Sequence, residues 1–175
     1  MKKFWLMLLS IMLIFSLWSC GTVSAPGKEP LDTEAGLTTI NEALADEPMS
    51  PLQLSSYLSA LGYSDEEIDI LIEAAEVDWQ TQIQRYVESL LNETPYSRLA
   101  LINLLTIDLE YDSNDVFTVI DAMDLPWKVH CALEAQYLKD IKQLGKDEII
   151  EQLTIKKYID EEIDYAIKEL FEDTN

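Results

Sequence analysis

Ser50-Pro51-Leu52-Gln53-Leu54-Ser55-Ser56-Tyr57-Leu58-Ser59-Ala60-Leu61-Gly62-Tyr63-Ser64-Asp65-Glu66-Glu67-Ile68-Asp69 is the stretch that decides the fold. It carries two helix starts within twenty residues. Ser50 is a helix cap, Pro51 suits the first helical position, and Gln53 stands where a capping box needs it. Ser64-Asp65-Glu66-Glu67 repeats the device, with acids at the positive end of the second helix. Losing one such cap costs about 1 kcal/mol. Between the caps, Leu54 and Leu58 lie one turn apart, and Tyr63 marks the corner.

The same pattern recurs along the chain. Tyr63, Tyr111 and Tyr158 stand 48 and 47 residues apart. Four residues after each comes an acid (Glu67, Asp115, Glu162), then an aliphatic (Ile68, Val116, Ile163), then Ile72, Ile120 and Ile167. Before the tyrosines, Leu58, Leu105 and Leu153 align, as do Leu54, Leu101 and Ile149, and before them Ser50, Ser97 and Gly145. The middle copy holds one extra residue between its Leu and its Tyr. Trp79 and Trp127 each lie 18 residues ahead of the Ser97 and Gly145 positions. Repetition at this period is the mark of an array of small units.

Each unit reads as three helices. The first spans about 79–92 and 127–142 in the later copies, with apolar stripes Trp79, Ile83, Val87, Leu90 and Trp127, Cys131, Ala135, Leu138. In the first copy it is weaker (Gly36, Ile40, Ala43, Leu44), and Asp32 replaces the Trp, as suits a terminal unit. The expected fold is therefore all-α, a tandem array of three small three-helix units of about 48 residues. Their bounds are 33–77, 78–124 and 125–175. The tyrosines are expected to plug the corner between second and third helices as core aromatics with wet hydroxyls. Trp79 and Trp127 read as core in the same way.

The start of the chain is of another kind. Met1-Lys2-Lys3 is positive, and Phe4 through Trp18 is apolar except for Ser10 and Ser16. Fifteen residues fall short of the roughly 20 that span a bilayer and suit a secretory signal. Leu17-Trp18-Ser19-Cys20-Gly21 resembles the lipobox of bacterial lipoproteins, with Trp18 in place of the usual small residue. The resemblance implies a signal peptide over 1–19, lipidation of Cys20, and location on the extracellular face of the membrane. Plain secretion and an uncleaved anchor helix are the alternatives. Residues 20–32 read as a flexible tether. Cys131 is the one cysteine besides Cys20, so no internal disulfide is expected once Cys20 is lipidated.

The repeat resembles that of the Ltp-like family of host cell-surface-exposed lipoproteins. The matching residues are Tyr96-Ser97 with Leu101-Ile102, Gly62-Tyr63-Ser64 with Glu67, and the similar Ile149-Ile150, across about 49–170. The chain diverges in having Tyr where the family prefers Phe, and no Gly before Tyr111 or Tyr158. The resemblance implies phage superinfection exclusion. A membrane-anchored protein of this kind binds the incoming phage's tail tape-measure protein, and DNA injection fails. The alternative is a structural or scaffolding module of the cell envelope that binds a host partner.

Charge narrows the partner. The whole chain carries a net charge of −21, and from Cys20 onward 10 basic residues stand against 33 acidic, a net of −23. Such a surface repels phosphate backbones, so nucleic acid is not expected. Residues 20–127 hold 21 acids and three bases, whereas 128–175 hold twelve acids and seven bases. The first two units therefore carry most of the negative field, which reads either as a solvated, soluble surface or as a face that attracts a basic protein segment. No catalytic set, metal site, cofactor or small-molecule substrate is expected. His130 and Cys131 are neighbours on a helix and point about 100° apart, so they do not form a dyad. Cys131 aligns with Ile83 and reads as a small core hydrophobe. Asp112-Ser113-Asn114-Asp115 reads as a helix cap rather than a calcium loop.

Overall fold

The computed structural model describes residues 31–171, which are all-helical: nine helices and no strand lie among them. They are α1 (Thr33–Asp46), α2 (Pro51–Ala60), α3 (Asp65–Ala74), α4 (Trp79–Glu93), α5 (Arg98–Asn103), α6 (Ser113–Ala122), α7 (Trp127–Asp140), α8 (Lys146–Ile155) and α9 (Asp160–Phe171). The expected signal peptide, Cys20 and the tether up to residue 30 lie outside the described residues. Among those described, no helix is long and apolar enough to cross a membrane.

Local caps explain where the helices begin. Ser50 N–H donates to Gln53 Oε1 at 2.9 Å and Gln53 N–H returns to Ser50 Oγ at 3.1 Å. Ser64 N–H donates to Glu67 Oε2 at 2.8 Å, and Gly145 N–H to Glu148 Oε2 at 2.8 Å. Asp32, Asp78 and Ser97 accept from the third residue onward at 3.0, 3.1 and 3.1 Å. The Thr81 hydroxyl also donates to Asp78 and holds that carboxyl below its usual range. Each bond satisfies a backbone donor, or fixes a cap, that the first helical turn would otherwise leave open.

Packing follows one scheme: α1 lies on α3, α4 on α6, and α7 on α9. One core gathers Ile83, Val87, Leu101, Leu105, Val116 and Ile120; another gathers Cys131, Ala135, Ile149, Leu153, Ile163 and Ile167. Ahead of them, Ile40, Leu54, Leu58 and Leu71 are fully buried. The approach of α1 to α3 is closest at Gly36, where an added Cβ would sit 2.4 Å from Leu71 Cδ2. Neighbouring groups are stitched by few bonds. Arg85 on α4 caps the end of α1 through the Leu44 and Ala45 carbonyls. The Ser97 hydroxyl donates to the Lys156 carbonyl at 2.7 Å. Leu125 and Trp127, at the entry to α7, pack against the core that α4 to α6 enclose.

The three tyrosines share a backbone setting but not a ring environment. Tyr63, Tyr111 and Tyr158 N–H groups donate to Leu58, Leu105 and Leu153 carbonyls at 3.3, 3.0 and 3.1 Å. The residue before each is left-handed: Gly62 at φ +98°, Glu110 at +58° and Lys157 at +66°. Glycine is absent at two of these turns, so Glu110 and Lys157 carry a steric cost of about 1 kcal/mol each. Tyr111 and Tyr158 are buried, while Tyr63 is half-buried. Between Tyr63 and Tyr111 the helix before differs. Trp79 meets Tyr111 edge-on at 6.3 Å, and Asp32 stands in its place ahead of Tyr63. The expectation of wet hydroxyls fails at Tyr111, whose buried hydroxyl has no hydrogen-bond partner.

The extra residue between Leu105 and Tyr111 has a visible fate. After α5 the helix widens into a π-helical turn, Leu104–Asp108, before it closes at Leu109. A π turn takes in one more residue per turn, so Leu105 and Tyr111 keep the same bond across a longer loop. Removing Asp108, which is exposed, should be tolerated at a cost of no more than about 1–2 kcal/mol. Removing Ser56 from α2 instead rotates Leu58 out of the core and should cost clearly more. Urea denaturation of the two deletions checks this, and equal losses would sink the account.

Candidate functional site

The densest set of buried polar and titratable groups lies between α7, the α8–α9 turn and α9. Here Cys131, Glu134, Tyr158 and Glu162 are all buried. Glu162 has a structural duty, since its Oε2 accepts the Ile159 N–H at 3.1 Å and so caps the start of α9. Lys156 Nζ approaches Glu134 Oε1 at 3.2 Å. That contact balances charge but is not aligned as a hydrogen bond, and Oε1 has no other donor. The Tyr158 hydroxyl donates to the His130 carbonyl at 3.4 Å. Burial pushes the Tyr158 phenol well above its usual range.

Cys131 is fully buried, and burial first, then the charges of Glu162 and Glu134, push its thiol up to about 12. Nucleophilic cysteines have the opposite setting, with a nearby positive group that favours the thiolate. His130 supplies no such help. Its ring tilts against Trp127 at 5.9 Å, its Nδ1 is buried without a partner, and burial lowers its pKa. A maleimide should therefore label Cys131 in native buffer on the order of a thousandfold more slowly than in unfolding urea, because access requires opening of the core. Peptide mass spectrometry reads the site, and rapid native labelling would contradict this packing.

Asp112 acts as the cap of α6, accepting from Asn114 and Asp115 N–H at 2.8 and 3.3 Å. Asp115 is engaged by Gln80 Nε2 at 2.8 Å across to α4. Among the described residues, no group of three or more His, Cys, Asp or Glu is gathered in a metal-binding arrangement. The paired Glu134 and Lys156 had no signal in the sequence beyond Glu162 sharing the capping position of Glu67. Burial of a lone Glu on a helix face is decided by the tertiary packing.

The two arginines each have partners within the chain. Arg85 turns to the α1 carbonyls, and Arg98 pairs with Asp121 at 2.6 Å. Both arginines of residues 32–127 are thus occupied within the chain, against acids exposed on α3 such as Asp65, Glu66, Asp69 and Glu73. Compared with known protein families, curated proteins and solved structures, the chain finds no match.

Proposed function

We propose that this chain is a lipid-anchored helical binding protein on the outer face of the cell membrane, which captures a basic protein segment. The partner that fits the family resemblance is the tail tape-measure protein of an incoming phage, and the outcome is superinfection exclusion. The observation that supports binding of a basic segment is the charge: 21 acids against three bases over residues 20–127. Binding carried by that field should weaken as salt rises, mainly through the on-rate. Support for anchoring comes from Leu17-Trp18-Ser19-Cys20-Gly21 behind a positive, apolar start.

Two measurements test the reading. Cys20→Ala should move the protein from the membrane fraction to the medium, because two acyl chains at about 0.8 kcal/mol per buried methylene are lost. Unchanged membrane retention would remove the lipid anchor from the reading. Cells with the gene should adsorb phage normally yet fail to take up its DNA. DNA entry equal to that of cells lacking the gene, for every phage tested, would remove exclusion.

A further inference from the structure

His130 is the one histidine of the chain, and it stands where two parts of the fold meet. At the start of α7, Leu125 and Trp127 pack against the α4–α6 core, while Cys131 belongs to the α7–α9 core. The His130 ring lies against the Trp127 indole, tilted at 42° with centroids 5.9 Å apart. Its Nδ1 is buried without a hydrogen-bond partner. A neutral imidazole can leave Nδ1 there as a bare acceptor. A protonated one donates from both nitrogens, so a charged N–H would be stranded. The matching position of the preceding unit, three residues after Trp79, is Gln82, which is also buried and has an unpartnered Oε1. An amide does not titrate near neutral pH, whereas an imidazole does.

Charges on the surrounding elements are engaged elsewhere. Glu134, one turn on along α7, has Lys156 Nζ at 3.2 Å, and Lys128 pairs with Glu161 of α9 at 2.7 Å. Glu162 of α9 accepts the Ile159 N–H. Tyr158, ahead of α9, gives its hydroxyl to the His130 carbonyl rather than to the ring. Asp124, in the turn before α7, is exposed. On the α4–α6 side the titratable groups of the core are Tyr86, Tyr96 and Tyr111, which stay uncharged in acid. Burial is therefore what acts on the ring, and it holds the imidazole below its usual range. Once wet, the ring titrates near its ordinary 6.5. The covered arrangement is thus favoured in full above about pH 7. As pH falls below about 6.5 the open one gains, by up to about tenfold per pH unit, until the covered ring itself takes the proton. Moving Trp127 aside is the short route to water, because the parts are otherwise joined there by the Ser97 hydroxyl on the Lys156 carbonyl.

We propose that His130 is an acid-sensitive latch, whose protonation releases Trp127 from the α4–α6 core and loosens the junction with α7–α9. A single imidazole makes the first readout direct. In the full chain its nuclear magnetic resonance signal should titrate with a midpoint below 6.5, the ordinary value. A midpoint at or above that value would mean that the Trp127 face holds the cation in place, and would overturn the latch. The second readout is maleimide labelling of Leu125→Cys in the full chain with Cys20→Ala, with and without His130→Gln. Leu125 packs against the same core as Trp127, and comparison at equal pH cancels the thiol's own titration. Relative to the His130→Gln chain, labelling at position 125 should quicken about three- to tenfold between about pH 7.5 and about pH 5.5. Circular dichroism checks that His130→Gln stays helical, and His130→Asn replaces it if it does not. A ratio that stays flat with pH sinks the proposal. Neither phage nor membrane enters either readout, so failure here leaves the anchoring and exclusion readings standing on their own tests.

Discussion

Gly36→Ile should destabilise the folded chain by about 3 kcal/mol, and Leu71→Val in the same chain should restore part of that loss. A Cβ at Gly36 would lie 2.4 and 2.8 Å from the two terminal carbons of Leu71, which is fully buried. Leu71 has little room to yield, since closely packed interiors resist added methyl groups. The matched crossings of the other helices show how the volumes balance. Ile83 on α4 shares a core with Val119 on α6, and Cys131 on α7 shares one with Ala166 on α9. In both, a residue larger than Gly36 on the first helix goes with one smaller than Leu71 on the third. Gly36→Ala should lose less, because alanine recovers about 1 kcal/mol of helix propensity against the overlap. A four-variant urea-denaturation cycle reads the coupling. If Gly36→Ile and Leu71→Val act additively, the described seating of α1 on α3 is wrong.

Lys156→Met should cost about 2 kcal/mol, while Glu134→Leu alone should be close to neutral. Breaking a buried ion pair from one side leaves a charge without a partner, a loss of about 3–5 kcal/mol when both groups are buried. Lys156 is about half exposed, so water screens part of its charge and the smaller figure applies. Glu134 is the buried member, and its Oε1 has the ammonium at 3.2 Å and no hydrogen-bond donor. Replacing both by Met and Leu should recover most of the loss, since the apolar pair extends the α7–α9 core. Chemical denaturation at neutral pH measures the cycle. A Lys156→Met variant as stable as the parent would mean that Glu134 finds its own water.

The helices were legible because their signals are local. Ser50, Ser64 and Ser97 cap where their sequence context places them, and Trp79 and Trp127 open α4 and α7. The extra residue near Tyr111 was countable in the sequence, but its absorption in a π turn was not, because a loop or a shifted register would count the same. Of the left-handed residues, Gly62 announces itself, whereas Glu110 and Lys157 do not. Their conformation is imposed by the bonds from Tyr111 and Tyr158 to the preceding leucines. The exposed apolar side of α7, with Val129, Leu133 and Tyr137, was missed for a different reason. A search for one apolar stripe is satisfied by Cys131, Ala135 and Leu138, and a second stripe on the opposite face lowers the contrast that makes either visible. Cys20, the residue with the most specific chemical expectation, lies outside the described residues.

The two cores that α4 to α6 and α7 to α9 enclose are joined by the indole of Trp127 and the Ser97 hydroxyl, rather than by a shared layer of side chains. Mechanically, such blocks stand in series. Both blocks and the seam then bear the same tension, and the seam, held by fewer contacts than either interior, is expected to part first.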